Sequence, residues 1–147
     1  MKVIISGGTG MIGSALANDL ANDGHEVVIL TRQLASRSVL PQGIRLVQWD
    51  GVSVGDWVNE LNTTDAVINL AGENLSNKRW SKKQKEQIVS SRVNTGKALV
   101  EGFKKANHKP AVLIQASGVG AYGTSEKTIF DEFDGYGQDF LAGVTQV

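Results

Sequence analysis

Three glycines, at positions 7, 10 and 13, form the first motif in the 147-residue sequence that predicts a chemical function. They follow a short β-branched run and open an amphipathic stretch, so they lie between a predicted strand and a predicted helix. In such a loop Gly7 allows a tight turn, Gly10 leaves room for a pyrophosphate, and Gly13 lets helix and strand pack closely. The spacing therefore favours a dinucleotide-binding loop over a generic glycine-rich turn. The residues predicted to contact the cofactor are Gly7, Gly8, Thr9, Gly10, Met11, Ile12 and Gly13.

A basic residue ends the second predicted strand, about twenty residues after the glycine motif, where NAD-preferring sites usually have Asp or Glu. Thr31 is followed there by Arg32, which can pair with a 2′-phosphate and stack on adenine, and Arg37 is close enough to assist. The sequence thus favours NADP over NAD, against the alternative of a solvent-exposed Arg32. Asp50, after the third predicted strand, either contacts the adenine edge or forms a turn.

The elements that must position these residues alternate between short apolar strands and amphipathic helices, as expected of βαβ units. Strands are predicted over residues 3–5, 27–30, 44–47, 66–68 and 111–114. A first helix begins at Met11, and Gly24 can take the left-handed conformation at its end. We therefore predict one α/β domain over residues 1–147, a three-layer Rossmann fold with a parallel sheet of order 3-2-1-4-5.

A long helix is predicted between strands four and five, over residues 81–107, with Ser81 as its N-cap. We expect its apolar stripe to face the sheet, with Gly96 allowing close approach. That stripe consists of Val89, Val93, Gly96, Val100 and Phe103. The lysine-rich first turn, residues 82–85, is a phosphate patch or, as we favour, a solvated face.

Composition excludes several other functions. Fifteen Lys and Arg balance fifteen Asp and Glu, so neither nucleic acid nor an anionic membrane is an expected partner. No apolar run approaches the ~20 residues of a membrane-spanning helix, and the N-terminus has no leader pattern, so we expect a cytoplasmic protein. There is no cysteine, and His25 and His108 are far apart in sequence, so no metal site is expected.

Several segments together resemble a known family. The run GGTGMIG and the segment Asn69 to Glu73 resemble extended short-chain dehydrogenases/reductases, the nucleotide-sugar epimerase/dehydratase superfamily. An atypical branch, whose members are usually described as NAD(P)-dependent epimerase family proteins and in some cases as cell division inhibitors, shares further short segments. These are Lys78-Arg79-Trp80, Gln84-Lys85 and Ser91-Arg92.

The resemblance implies further cofactor-site residues. Leu70, Ala71 and Gly72 would pass under the nicotinamide half of the cofactor, with Glu73 beside them. The resemblance also implies that Arg92 belongs to the cofactor site. The alternative is that its side chain extends to solvent.

Catalysis is the point at which the sequence departs from ordinary members, which use Tyr-x-x-x-Lys on the helix after strand five. If that helix begins near Phe140, the positions of the Tyr and the Lys are occupied by Leu141 and Thr145. The remaining catalytic candidates are Ser117, to orient a substrate hydroxyl or carbonyl, and Tyr122, as a proton donor. The alternative for Ser117 is that its hydroxyl satisfies loop backbone groups. The alternative for Tyr122 is that its ring only packs, and we favour this one because Tyr122 has no lysine neighbour.

The resemblance also implies a longer protein, with a sixth strand and a small substrate domain, so we expect a chain truncated after strand five. The predicted function is the NADP-binding domain of an oxidoreductase or epimerase that acts on an unidentified small molecule, such as a nucleotide sugar. The alternative is a non-catalytic NADPH sensor or interaction module. The chain alone is expected to be inactive. Because strand five would have an unpaired apolar outer edge, residues 112–114, we also expect a homodimer through the C-terminal third.

Overall fold

A five-stranded parallel sheet organises the chain in the computed structural model, which describes residues 1–34, 40–76 and 78–147. The strands are β1 Lys2–Ser6, β2 Glu26–Thr31, β3 Ile44–Gln48, β4 Ala66–Asn69 and β5 Val112–Gln115. Their order is β3-β2-β1-β4-β5, and each neighbouring pair is parallel. The predicted α/β fold class and strand order are thereby confirmed.

Helices connect the strands and lie on both faces of the sheet. They are α1 Met11–Asn22, α2 Val58–Leu61, α3 Lys82–Lys105 and α4 Phe140–Thr145, with a 3₁₀ turn over Val119–Tyr122 before α4. Gly24 has a φ of +81° just after α1, as predicted. The predicted N-cap of α3 is also present, since the Ser81 hydroxyl accepts a hydrogen bond from the backbone N–H of Gln84 at 3.3 Å. Within the described residues no helix is long and apolar enough to cross a membrane.

Two apolar clusters lie on opposite faces of the sheet, because successive side chains of a strand point in opposite directions. Ile4, Val28 and Val67 pack with residues of α2 and α3 on one face. Ile5 and Ile29 pack with residues of α1 on the other. The central strands β1 and β2 are therefore covered on both sides, which accounts for their nearly continuous apolar sequences, whereas β5 at the edge of the sheet is exposed along its length.

The buried side of α3 differs from the predicted stripe: Phe103 packs against the core as predicted, but the prediction is wrong for Gly96 and Val100. Val100 is 47% exposed, and a β-carbon added at Gly96 would meet no atom within 4 Å. The buried side instead consists of Gln84, Ile88, Thr95, Ala98, Leu99 and Gly102. Small residues are needed there because Trp57 fills the space: a β-carbon at Gly102 would lie 2.4 Å from its ring. Close approach thus occurs at Gly102.

Candidate functional site

The five strands end at one side of the molecule, and the loops that follow them hold the predicted site residues. Ser6, at the end of β1, is in register with Leu30 of β2 and with Asn69 of β4. Asn69 is in turn in register with Gln115 of β5. The glycine loop and the segments after β2, β4 and β5 therefore start close together, at the carboxyl ends where parallel sheets bind ligands.

The glycine loop is packed so tightly that a β-carbon at Gly7, Gly8 or Gly13 would lie less than 3.0 Å from another atom. Gly7 has a φ of +73°, and a β-carbon there would lie 2.7 Å from the carbonyl of Leu70. A β-carbon at Gly13 would lie 2.4 Å from the carbonyl oxygen of Gly7. Gly10 differs, because its β-carbon would meet only Gly7 O, at 3.3 Å, and otherwise enter open space. The open space next to Gly10, which we call the cradle, has room for a ligand that approaches the backbone.

The N-terminus of α1 points into that cradle without a side-chain cap. Gly10 is the N-cap, and Ser14 is the first residue whose N–H bonds back to it, at 2.9 Å. Among the described residues no group accepts from the backbone N–H groups of Met11, Ile12 and Gly13. Three N–H groups without a described acceptor, together with the positive end of the helix dipole, could bind an anion such as a pyrophosphate.

Arg32 lies beside a cleft of about 390 Å³ at the ends of β2 and β3. The cleft is lined by Arg32, Gln48, Trp49, Asp50, Ser53, Gly55, Asp56 and Trp57. Arg32 is exposed and forms no ion pair with any described residue. The Thr31 hydroxyl is engaged locally, at 3.3 Å from the backbone N–H of Gln33. Arg37, which was expected to assist, lies outside the described residues.

Asp50 adopts the turn-forming arrangement while still lining this cleft. Its Oδ1 accepts hydrogen bonds from the backbone N–H groups of Val52 at 2.8 Å and Ser53 at 2.7 Å. These bonds, with Ser53 first, hold the pKa of the Asp50 carboxyl below its ordinary value. The carbonyl of Ser53 also accepts from the indole N–H groups of Trp49 and Trp57, at 2.8 and 3.1 Å. The wall of the cleft is thus a rigid, hydrogen-bonded turn.

The loop after β4 is attached to α3 through Glu73 and Arg92. Glu73 donates its backbone N–H to the Ser91 hydroxyl at 2.9 Å. Arg92 donates from Nη1 to the carbonyls of Ile88 at 3.0 Å and Glu73 at 3.3 Å. A β-carbon at Gly72 would lie 3.0 Å from the Arg92 guanidinium carbon, so the guanidinium lies against this backbone. Burial lowers the pKa of Arg92, and its Nε and Nη2 have no protein partner in the described part of the chain.

An amide and a positively charged side chain lie near the carboxylate of Glu73. Its Oε1 accepts from the Gln84 amide at 3.2 Å and lies 3.6 Å from Lys78 Nζ. The hydrogen bond from Gln84, followed by the attraction of Lys78 and Arg32, lowers the Glu73 pKa. The neighbours of Glu73 therefore favour its charged form.

A row of polar side chains, buried at Ser6 and Asn69 and exposed at Gln115, connects three strands at this end, and it was not predicted from sequence. The Ser6 hydroxyl donates to Asn69 Oδ1, and both residues have no solvent exposure. Asn69 donates from Nδ2 to Gln115 Oε1 at 2.6 Å, and its Oδ1 also accepts from the backbone N–H of Ala71 at 3.2 Å. The row holds the start of the loop after β4 in place. A polar residue at the end of each of three apolar strands was the available signal.

The two catalytic candidates lie after β5, at the same end of the sheet. Ser117 is exposed, and its hydroxyl bonds to no described group. Tyr122 is half-buried, and its ring stacks on Phe130 with the centroids 5.6 Å apart and the planes 15° from parallel. The packing alternative for Tyr122 therefore matches the structure, and Ser117 remains available to a ligand.

Comparison with known proteins agrees with this arrangement. Residues 3–139 match the NAD dependent epimerase/dehydratase family. The epimerase family protein SSP1921 of Staphylococcus saprophyticus is 45% identical over 119 residues, which are 81% of this chain and 38% of that protein.

Two crystal structures are also similar. One is human epimerase family protein SDR39U1 (isoform 2) with NADPH, with a TM-score of 0.81 and 31% identity over 99% of this chain and 46% of that chain. The other is the nucleoside-diphosphate sugar epimerase of Corynebacterium glutamicum, with a TM-score of 0.74 and 33% identity over 99% of this chain and 29% of that chain. The chain thus spans less than half the length of each of these three proteins.

Proposed function

The chain belongs to the NAD dependent epimerase/dehydratase family and contains its NAD(P)-binding domain, and from this premise we propose that it binds NADP(H) at the carboxyl ends of its strands. The observation that carries the proposal is the uncapped N-terminus of α1 above a loop in which Gly7 and Gly13 exclude any side chain. A pyrophosphate in that cradle would accept from the N–H groups of Met11, Ile12 and Gly13. Gly8 and Thr9 would contact it along the same loop.

Arg32 would select the phosphorylated cofactor. It is exposed, belongs to a cleft of about 390 Å³, and has no ion-pair partner among the described residues. A guanidinium in this place can form paired hydrogen bonds with a 2′-phosphate, whereas an acidic residue would repel it. Adenine would occupy the cleft beside Thr31 and Asp50. The structure of human SDR39U1 with NADPH supports the same preference.

The loop after β4 would support the nicotinamide half of the cofactor. Leu70 and Ala71 are joined to the glycine loop by the close contact at Gly7, and Gly72 and Glu73 are braced by Arg92. Nε and Nη2 of Arg92 would remain for the cofactor or for an anionic substrate group.

The reaction we propose for the whole protein is oxidoreduction or epimerisation of a small molecule in the cytoplasm, with a nucleotide sugar as substrate. NADP(H) would supply or accept the hydride. Ser117 would orient a substrate hydroxyl or carbonyl, because its own hydroxyl bonds to no described group. Tyr122, whose ring stacks on Phe130, would donate the proton from its hydroxyl. We expect the 147-residue chain alone to show no turnover.

A second candidate function is supported by the same tyrosine. With its ring stacked on Phe130 and no Tyr-x-x-x-Lys pair in the sequence, Tyr122 is not set up as an activated acid or base. The protein would then bind NADPH as a sensor or interaction module. Hydride exchange at bound cofactor by the longer protein would favour the enzyme. Binding without any exchange would favour the sensor.

Fluorescence titration of the chain with NADPH and NADH tests the proposed cofactor. We expect NADPH to bind at least about tenfold more tightly, and Arg32→Glu to remove that preference while leaving NADH affinity nearly unchanged. Lys109→Glu, the same charge change at an exposed position outside the site, serves as the control. Equal affinities in the wild type, or an unchanged preference in Arg32→Glu, would contradict the assignment of Arg32.

A further inference from the structure

The loop after β4 leaves the sheet after its second residue and then depends on side chains of α3 for its conformation. The backbone N–H of Leu70 still bonds to the carbonyl of Ser6, at 3.0 Å. That of Ala71 bonds to Asn69 Oδ1 at 3.2 Å. Beyond them, no backbone-to-backbone hydrogen bond involves residues 72–74 in the part of the chain that the structure describes. Contacts with another element must therefore hold the rest of the loop.

Two consecutive residues of α3 hold both polar backbone groups of Glu73. The Ser91 hydroxyl accepts a hydrogen bond from the Glu73 N–H at 2.9 Å, and Arg92 Nη1 donates to the Glu73 carbonyl at 3.3 Å. Because the N–H and the carbonyl are both bonded to the same turn of one helix, the backbone of Glu73 cannot rotate without breaking one of these two hydrogen bonds.

The Ser91 hydroxyl is oriented for this contact. It donates its own proton to the carbonyl of Ile88 at 3.0 Å, which leaves its lone pairs for the Glu73 N–H. Arg92 Nη1 donates to the same carbonyl, also at 3.0 Å. Ile88 has no solvent exposure, so both side chains are attached to a residue on the buried side of α3. The position thus uses a hydroxyl that donates and accepts at the same time.

The helix turn that carries Ser91 is itself held in place by a second hydroxyl. Thr95 is buried, and its Oγ1 donates back to the carbonyls of Ser91 and Arg92, at 3.0 Å from each. Its methyl group faces the turn after β3, since a β-carbon at Gly51 would lie 3.5 Å from Thr95 Cγ2. This part of α3 is therefore packed against a neighbouring loop, which gives Ser91 a fixed position.

We propose that Ser91 is a positioning residue for the cofactor, an inference that rests on the proposed NADP(H) site. Its hydroxyl holds Glu73, and with it residues 70–73, in the conformation that supports the nicotinamide half. A loop that is ordered before binding loses less conformational freedom when the ligand arrives, so the affinity is higher. The role is confined to that half, because Arg32 and the adenine cleft follow other strands, β2 and β3.

Two ligands that differ in the nicotinamide half test this role. NADPH contains both halves, whereas adenosine 2′,5′-bisphosphate contains only the adenine half with its 2′-phosphate. Ser91→Ala removes one hydrogen bond, so it should weaken NADPH binding about three- to tenfold and leave binding of the bisphosphate unchanged. Ser91→Thr keeps the hydroxyl and should restore the affinity for NADPH. Isothermal titration calorimetry of each variant with both ligands would measure these affinities.

Amide hydrogen exchange gives a readout that needs no cofactor. In free Ser91→Ala the Glu73 N–H loses its acceptor, and it should exchange at least about tenfold faster than in the wild type or in Ser91→Thr. Ser90→Ala is the matched control. The Ser90 hydroxyl also bonds to a carbonyl on its own helix, that of Gln87 at 3.4 Å, but it is exposed and bonds to no described group of the loop after β4. This variant should alter neither measurement.

Three results would overturn the role of Ser91 while leaving the proposed cofactor site intact. One is an unchanged NADPH affinity in Ser91→Ala. Another is an equal loss of affinity for NADPH and for the bisphosphate, because the substitution would then act on the fold as a whole. The third is exchange of the Glu73 N–H that is no faster in Ser91→Ala than in the wild type. A wild-type chain that binds neither ligand would instead contradict the proposed function, and the role of Ser91 with it.

Discussion

The amino ends and the carboxyl ends of the parallel strands differ in whether the protein itself pairs the polar and charged groups there. At the amino ends, Lys2, Glu26, Arg45 and Glu60 form a connected set of ion pairs, with Lys2 Nζ 2.8 Å from Glu60 Oε2 and Arg45 Nε 3.4 Å from Glu26 Oε1. At the carboxyl ends, the N–H groups at the start of α1 have no hydrogen-bond acceptor and the guanidinium of Arg32 forms no ion pair among the described residues. One end is satisfied by the protein itself, and the other is left for a ligand.

The amino-end network shows what internal satisfaction does to a charged group. Glu60 accepts hydrogen bonds from Arg45 at both carboxylate oxygens and from Lys2. These bonds, with Arg45 first, lower the pKa of Glu60 to about 2, and they raise that of Arg45. The network ties β1 and β3 to α2. At the carboxyl ends the corresponding stabilisation is available only when an anion binds.

Gly10→Val should produce the largest effect, and only at the carboxyl ends. Its side chain would fill the space above the loop, so we expect NADPH affinity to fall at least about 100-fold, or about 2.7 kcal/mol. The backbone at Gly10 is extended, with φ −77° and ψ 176°, which valine can adopt, and its β-carbon would lie 3.3 Å from Gly7 O, so we expect only a small fall in the melting temperature. Gly96→Val is the matched control, because its β-carbon meets no atom within 4 Å. Unchanged binding by Gly10→Val would mean that the loop is only a turn.

Two asparagines at opposite ends of the sheet provide the next contrast. Asn69→Ala removes the centre of the polar row and leaves the Ser6 hydroxyl unpaired, so we expect a loss of about 2–3 kcal/mol of stability and weaker NADPH binding. Asn62→Ala removes the acceptor of two backbone N–H groups, at Asn107 and His108, and should cost only about 1 kcal/mol without affecting NADPH. Urea unfolding and NADPH titration of both variants would measure this. Equal losses of NADPH affinity would remove the distinction between the two ends.

Glu60→Gln should lower stability without altering binding. It removes a charge that pairs with both Lys2 and Arg45, and because the site is partly exposed we expect a loss of about 1–2 kcal/mol. Urea unfolding monitored by tryptophan fluorescence would measure it. A change in NADPH affinity would contradict the assignment of this end to stability alone.

The same substitution predicts a smaller effect of pH. Glu60 has a pKa of about 2 in the folded chain and an ordinary value of 4.5, so the folded state favours its charged form. The stability it contributes is fully present above pH 4.5 and is lost as the pH falls towards 2. The difference in unfolding free energy between wild type and Glu60→Gln should therefore shrink over that range. A difference that is constant with pH would contradict the role of the Glu60 charge.

Local patterns predicted the strands and the glycine loop, because each depends on residues close in sequence. The strand order was predicted from the Rossmann fold that these patterns indicate, since β1 pairs with β4, which is far from it in sequence. The buried side of α3 was not predicted, since hydrophobic periodicity alone cannot show that Trp57 requires a glycine at position 102. The polar row through Asn69 was also missed, because it depends on the register of three strands that are far apart in sequence. The bracing of Gly72 by Arg92 is likewise a tertiary contact that spacing cannot reveal.

Backbone amide chemical shifts recorded during NADPH titration of the ¹⁵N-labelled chain test the central claim most directly. The account predicts saturable shifts at Gly7 to Gly13, at Arg32 and at Leu70 to Glu73, where the cofactor would lie. It predicts no shifts at Lys2, Arg45 and Glu60, whose polar groups are satisfied by the protein itself. Shifts concentrated at these amino-end residues, with none in the glycine loop, would contradict it.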